Sequence, residues 1–230
     1  MRLSIRPVGG IPGTIEYTEA DLARIENEAR GRSSRLLREK LGSAAAIDLL
    51  KDEIEEGDRR WTEYVEMSRG QWKSNGFELE VKGFDSDSWF DWIAANLDDE
   101  AMHFSVHPEH YAWVSTEKLG EDPSRGSHVI VEPVGDLMLR FYVHDHEWDG
   151  MEEYFDGAYP ERRATELAVQ DGTIVGKSIS QCRDTDDGYR FRFQVFKPVA
   201  LPDADVVSHL DHAVVEYIHY MERAAEATAR

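Results

Sequence analysis

Cysteine is nearly absent from this chain: Cys182 stands alone in 230 residues. No intrachain disulfide can form, and one chain can assemble neither a cysteine-based zinc site nor an iron–sulfur cluster. Any metal must therefore be held by histidine and carboxylate. Lysine is scarce too, with seven residues, and all basic residues together number 26 against 46 acidic ones, a net charge of −20. That balance argues against nucleic acid or an anionic membrane as partner, because both would be repelled. Acid-rich, lysine-poor surfaces also stay hydrated in strong salt, so the expected setting is a high-salt cytoplasm or else an ordinary cytosol holding an acidic protein. No stretch approaches the roughly 18 apolar residues that a membrane span needs. The opening Met1-Arg2-Leu3-Ser4-Ile5-Arg6-Pro7 lacks the apolar core of a secretion signal, so a soluble cytoplasmic protein is expected. Also missing are a phosphate-cradling glycine loop ending in Lys-Ser/Thr, a Gly-x-Ser-x-Gly elbow and a dinucleotide-binding glycine fingerprint. Nothing identifies a base that would activate Cys182 as a nucleophile. Histidine is missing from the first 102 residues; all nine lie between His103 and His219.

What is present divides by period. Helical spacing predicts helices over Ala20–Ala29, ended by Gly31, over Ser33–Leu41, broken at Gly42, and over Ser43–Met67 with Gly57 as a soft point. Thr18 reads as a helix cap, after a turn at Gly9-Gly10-Ile11-Pro12-Gly13. Phe77–Val81 reads as a short strand. Asp85–Leu97, carrying Trp89, Phe90, Trp92 and Ile93, reads as an aromatic helix capped by Asp85 or Ser86. From Met102 the period becomes two, with strands expected at His103–Val106, Tyr111–Ser115, Ser127–Glu132, Leu137–His144, Arg163–Val169, Thr173–Cys182 and Tyr189–Lys197. Asp145 to Gly150 reads as a polar loop leaving the sheet. Pro198 and Pro202 end the sheet, and an amphipathic helix capped by Asp203 closes the chain. Helices, an antiparallel sheet and one long helix laid across it give an α+β fold, the helix-grip arrangement of START-type and Bet v 1-like domains, with an apolar cavity between sheet and helix. The expected division is a helical segment over residues 1–84, acting as a lid or as the interface of a homodimer, and a helix-grip domain over 85–230.

The candidate chemistry lies on the last helix and the histidines that precede it. His212 and Glu216 are four residues apart, within about 40° on one helix face, which is half of a metal site; the same pair would also serve as a solvated edge. His209 and His219 share that border. In Ser127-His128-Val129-Ile130-Val131-Glu132, alternation sets His128, Ile130 and Glu132 on one face and Val129 and Val131 on the other. Glu132 is either exposed or inside the cavity, where it would need a cation. His103, His107 and His110 flank Pro108, and His144 with His146 form a rival pair.

Taken in order, Trp89-Phe90-Asp91-Trp92, the His103–His110 segment with Pro108, Ser127 to Glu132, Leu139-Arg140-Phe141 leading to Gly150, the Thr173–Phe196 hairpin and His212 to Glu216 resemble the 2,4-diacetylphloroglucinol hydrolase and phloretin hydrolase family. The likeness covers roughly Trp89 to Glu222. It implies a Bet v 1-like catalytic domain that hydrolyses the carbon–carbon bond between an acyl group and a phenolic ring. It also implies zinc held by His110, Glu132, His212 and Glu216. His110 stands one residue nearer its proline than in the family pattern, Val106 replaces a tryptophan, and His103 takes the place of a substrate-contacting tyrosine, so a retained metal with a different substrate is implied. Two imidazoles and two carboxylates suit a divalent ion that activates water. His103 and His128, with His107, are the candidate proton donors, and the substrate is a small aromatic or ketone. A non-enzymatic helix-grip module binding an apolar or aromatic small molecule is the alternative, and a different metal-dependent reaction through His144 and His146 is a third possibility.

Overall fold

The computed structural model describes residues 3–5, 15–17, 19–146 and 152–228. The turn expected at residues 9–13, the Thr18 cap and the 147–150 part of the polar loop lie outside the described residues. The chain divides into two compact units, residues 1–40 and 41–230. In the first, β1 (Leu3–Ile5) pairs antiparallel with β2 (Ile15–Tyr17), and α1 (Glu19–Leu49) begins. The helix break expected at Gly31 is not there. One glycine costs a helix about 1 kcal/mol, and Arg24–Glu28, Arg30–Glu26, Arg32–Glu28 and Arg35–Glu39 are all four apart and opposite in charge, each contributing a few tenths. The break at Gly42 is real, with φ +69° and ψ 166°.

In the second unit, α2 (Lys51–Ser68) lies against β6, with Ile54 in a cluster with Ala112, Val114, Val129, Val131, Tyr142 and Ala168. Gly57 is no soft point. A Cβ there would sit 1.8 Å from the Met138 carbonyl oxygen, so glycine is what lets helix and strand backbones meet. β3 (Trp72–Lys82) is eleven residues long and N-terminal to the expected 84/85 boundary, yet it belongs to the main sheet. α3 (Ser86–Asn96) is capped by Asp85, whose side chain accepts from Ser88 N at 2.8 Å. The strand expected at His103–Val106 is instead α4 (Glu100–Val106). Asp99 accepts from Met102 N at 3.1 Å, and this cap turns an alternating apolar pattern into about two helical turns.

The sheet continues with β4 (Ala112–Ser115), β5 (His128–Val134), β6 (Leu137–His146), β7 (Glu161–Ala168), β8 (Ile174–Thr185) and β9 (Gly188–Pro198), and α5 (Asp203–Thr228) closes the chain. All seven strands are antiparallel in the order β3-β9-β8-β7-β6-β5-β4. The first and last strands of this sheet, β3 and β9, are therefore neighbours. Phe191, Phe193 and Val195 of β9 pack with Ala213, Tyr217, Tyr220, Met221 and Ala224 of α5 and with Trp89 of α3, so α5 is gripped by the inner face while Val129 and Val131 face outward under α2. This is the α+β helix-grip arrangement. No described helix is long and apolar enough to cross a membrane.

Candidate metal centre

Two segments converge beneath α5, whose own side chains complete the cluster. The α4–β4 turn carries His110, wholly buried, whose Nδ1 meets the His103 carbonyl at 2.8 Å. A carbonyl only accepts, so the proton sits on Nδ1 and the Nε2 lone pair is left to face inward. On β5, Ile130 and Glu132 face the cavity, as alternation requires once Val129 and Val131 pack under α2. On α5, His209, His212, Glu216 and Tyr220 follow one another at three- and four-residue steps and occupy one inward stripe.

His110 Nε2 lies 3.2 Å from His212 Nε2, 3.5 Å from Glu132 Oε2 and 3.6 Å from Glu216 Oε1, and His212 Nε2 lies 3.3 Å from Glu132 Oε2. Four tetrahedral ligands bound at about 2.0–2.2 Å stand about 3.3–3.6 Å from one another. The three separations among His110, Glu132 and His212 fall in or close to that range, and Glu216 adds its contact with His110. His110, Glu132 and His212 together form a buried group able to hold a metal ion. The second Glu132 oxygen is fixed by His209 Nε2 at 3.2 Å, an outer-shell contact of the kind that orients ligands.

The electrostatics describe a position that wants positive charge. Burial lowers His110 and His209 to about 4 and His107 to about 3, so these rings are neutral. Burial also opposes a charge on His212, but the Glu132 carboxylate, with Glu109 and Glu216, raises it to about 10. Burial would raise Glu132 as well; the charge on His212 holds it well below the usual carboxylate range. Glu216 is pushed up to about 7 by burial. Protonated His212 supplies the cationic charge that the two carboxylates call for.

Beside this cluster lies a cavity of about 220 Å³ whose wall includes Glu132, His209, Glu216 and Tyr220 on the polar side and Trp89, Phe193 and Tyr217 on the aromatic side. His128 is on the wall at the rim, its Nε2 3.3 Å from Asp98 Oδ1 and its Nδ1 3.1 Å from Ser127 Oγ. His103 is placed differently. It stacks on Trp113 at 3.8 Å and is fully buried, with Nε2 3.0 Å from the Leu97 carbonyl and Nδ1 2.6 Å from Tyr220 Oη. Burial lowers it to about 3, so the ring carries one proton; the carbonyl puts it on Nε2, and the Tyr220 hydroxyl donates to Nδ1. His103 therefore stands behind the cavity wall, against Tyr220, Trp113 and Leu97, all of which line it. His219 Nδ1 meets the Val106 carbonyl at 2.7 Å and ties α5 to α4. His144 lies outside the described groups able to hold an ion, on the face of β6 that Tyr142 shares; the side chain of His146 is outside the described residues. Cys182 is buried, its thiol pushed up to about 12 by that burial, so it is no nucleophile.

The residues that sequence reasoning passed over are Glu109, which neighbours His212, and Tyr220. Tyr220 follows Glu216 by four residues, and extending the helix face one turn would have found it. His107, weighed as one of three histidines around Pro108 that could supply a ligand and as a proton donor, stacks on His212 with ring centroids 3.6 Å apart.

No family model matches this chain, and no curated protein matches it. Among solved structures it is similar to Ara h 8.0201, with 11% identity over 67% of this chain and 99% of that one and a TM-score of 0.45. It is also similar to the protein XoxI from Bacillus cereus (13% identity, 68% and 94% coverage, TM-score 0.37) and to an uncharacterised protein from Rhizobium leguminosarum (13%, 66% and 96%, TM-score 0.37).

Proposed function

We propose that this protein is a zinc-dependent hydrolase that cleaves the carbon–carbon bond between an acyl group and a phenolic ring or a related diketone. The observation that carries this reading is the buried group His110, Glu132 and His212, its donor atoms 3.2–3.5 Å apart, with Glu216 3.6 Å from His110, beside an aromatic cavity that Glu132 and Glu216 line. The likeness of the motifs around these residues to the diacetylphloroglucinol and phloretin hydrolases supports the choice of substrate. A divalent ion bound there supplies a water of lowered pKa and polarises a carbonyl. The chain does the rest. Trp89, Phe193 and Tyr217 hold the ring, and His209 keeps Glu132 in its ligating orientation. Tyr220, anchored by His103, borders the reacting carbonyl. As the acyl–ring bond breaks, its electron pair goes to the ring carbon, which takes a proton; His128 on the rim is the proton carrier. The products are a carboxylic acid and the deacylated phenol.

The test is metal analysis followed by assay. About one zinc per chain after reconstitution, lost in His212→Ala and in Glu216→Ala, with acetate released from acylphloroglucinols, is the expected result. A protein that takes up no metal, native or reconstituted, is a helix-grip module for an apolar ligand, a reading that the aromatic wall of the cavity favours. Bound zinc with no turnover on a panel of aryl ketones points to another metal-dependent reaction.

A further inference from the structure

His212 has two ring nitrogens, and only Nε2 faces the cluster. Its Nδ1 is buried and makes no hydrogen bond of standard geometry. The group it faces is the Glu109 carboxylate, with Oε2 3.5 Å away. His107, Glu109 and His212 have donor atoms close enough together for an ion of their own, but the hydrogen bonding of His107 argues against one. The backbone N–H of Glu109 donates to His107 Nδ1 at 3.1 Å, which occupies that lone pair and leaves the proton of the neutral ring on Nε2. Neither nitrogen of His107 is available to a metal unless this contact breaks. The same contact anchors the Glu109 backbone, so its carboxylate stands beside His212 by construction, one residue before the ligand His110. His110 has its Nδ1–H held by a backbone carbonyl; His212 has no carbonyl in that role, and Glu109 stands where one would be.

We propose that Glu109 is the positioning residue of His212. Its carboxylate accepts the Nδ1–H and holds the Nε2 lone pair on the point shared with His110 and Glu132, the outer-shell arrangement that fixes ring orientation and strengthens a metal ligand. The effect on metal affinity rests on the reading of the cluster as a metal centre; the hydrogen bond does not. Two measurements on the full chain separate them. In the metal-free protein with ¹⁵N-labelled histidine, His212 shows a low-field Nδ1–H resonance that survives exchange, is lost in Glu109→Ala and is kept in Glu109→Gln, whose amide oxygen accepts the same proton. In zinc competition against a chelator, Glu109→Ala binds about 10- to 100-fold more weakly, at unchanged stoichiometry, while Glu109→Gln recovers most of the loss. Because the Glu109 side chain is half-exposed, its removal leaves the melting temperature near that of the parent. An Nδ1–H signal missing from the parent, or indifferent to Glu109→Ala, overturns the proposal. So does a second ion lost in Glu109→Ala, which would make Glu109 a ligand. A parent that takes no zinc but loses the resonance in Glu109→Ala retains this proposal and removes the metal-dependent function.

Discussion

The inner and outer histidines of this chain are the same side chain in two physical states. His103, His107, His110, His209 and His212 are buried, and each has ring atoms set against a carboxylate, a carbonyl, a hydroxyl or another ring. His128 and His144 are only partly covered and His219 is exposed, and none of them belongs to a group able to hold an ion among the described residues. The difference teaches that histidine number says little and burial beside carboxylate says much: a buried imidazole must be neutral or paired, and pairing is what makes the cluster.

The comparison breaks most decisively at Glu132. Glu132→Ala leaves protonated His212 without its nearest counter-charge and His209 without its hydrogen-bond partner, and is expected to cost about 3–5 kcal/mol in denaturant unfolding at neutral pH and to abolish zinc retention after reconstitution. A loss no larger than that of an outer histidine would abolish the distinction between the two sets. Next in size is His103→Phe, which keeps a flat ring on Trp113 but removes the partner of Tyr220 Oη and of the Leu97 carbonyl; about 1–3 kcal/mol is expected.

That variant also sharpens the comparison through pH. Burial lowers the folded-state pKa of His103 from 6.5 to about 3, so as pH falls the unfolded chain takes up the proton first. The stability present above pH 6.5 is lost on the way down to pH 3, and His103→Phe should make the unfolding free energy less steep between pH 6 and 4 by up to about 1.4 kcal/mol per pH unit. His219→Ala gives up one bond to the Val106 carbonyl and should cost about 1 kcal/mol. Smallest of all, His144→Ala should change stability by less than about 0.5 kcal/mol and zinc content not at all.

Much of the fold was legible because local patterns and tertiary structure agree. The alternation in Tyr189 to Val195, the Asp85 cap and the apolar arc of α5 each demanded the element that is found. His103–Val106 was misread because seven residues cannot distinguish a period of two from one of 3.6 when most of them are buried; only the Asp99 cap decides it. At the site, the i, i+4 spacing of His212 and Glu216 is local and visible. The inward turn of Glu132 is not: alternation offered two faces, and the packing of α2 over Val129 and Val131 chose between them. The enclosure of His103 depends on Tyr220, 117 residues away, and no spacing rule spans that distance.

The pairing of β3 with β9 along eleven registered positions, from Trp72 opposite Pro198 to Lys82 opposite Gly188, also sets a timetable for biosynthesis. An early strand must wait, its edge bare, until β9, more than 100 residues further on, has been made. His110 precedes His212 by 102 residues, about 5–20 s of translation at 5–20 residues per second. A group that needs both His110 and His212 cannot close before His212 is made, and the edge of β3 in a nascent chain stays open until β9 pairs with it.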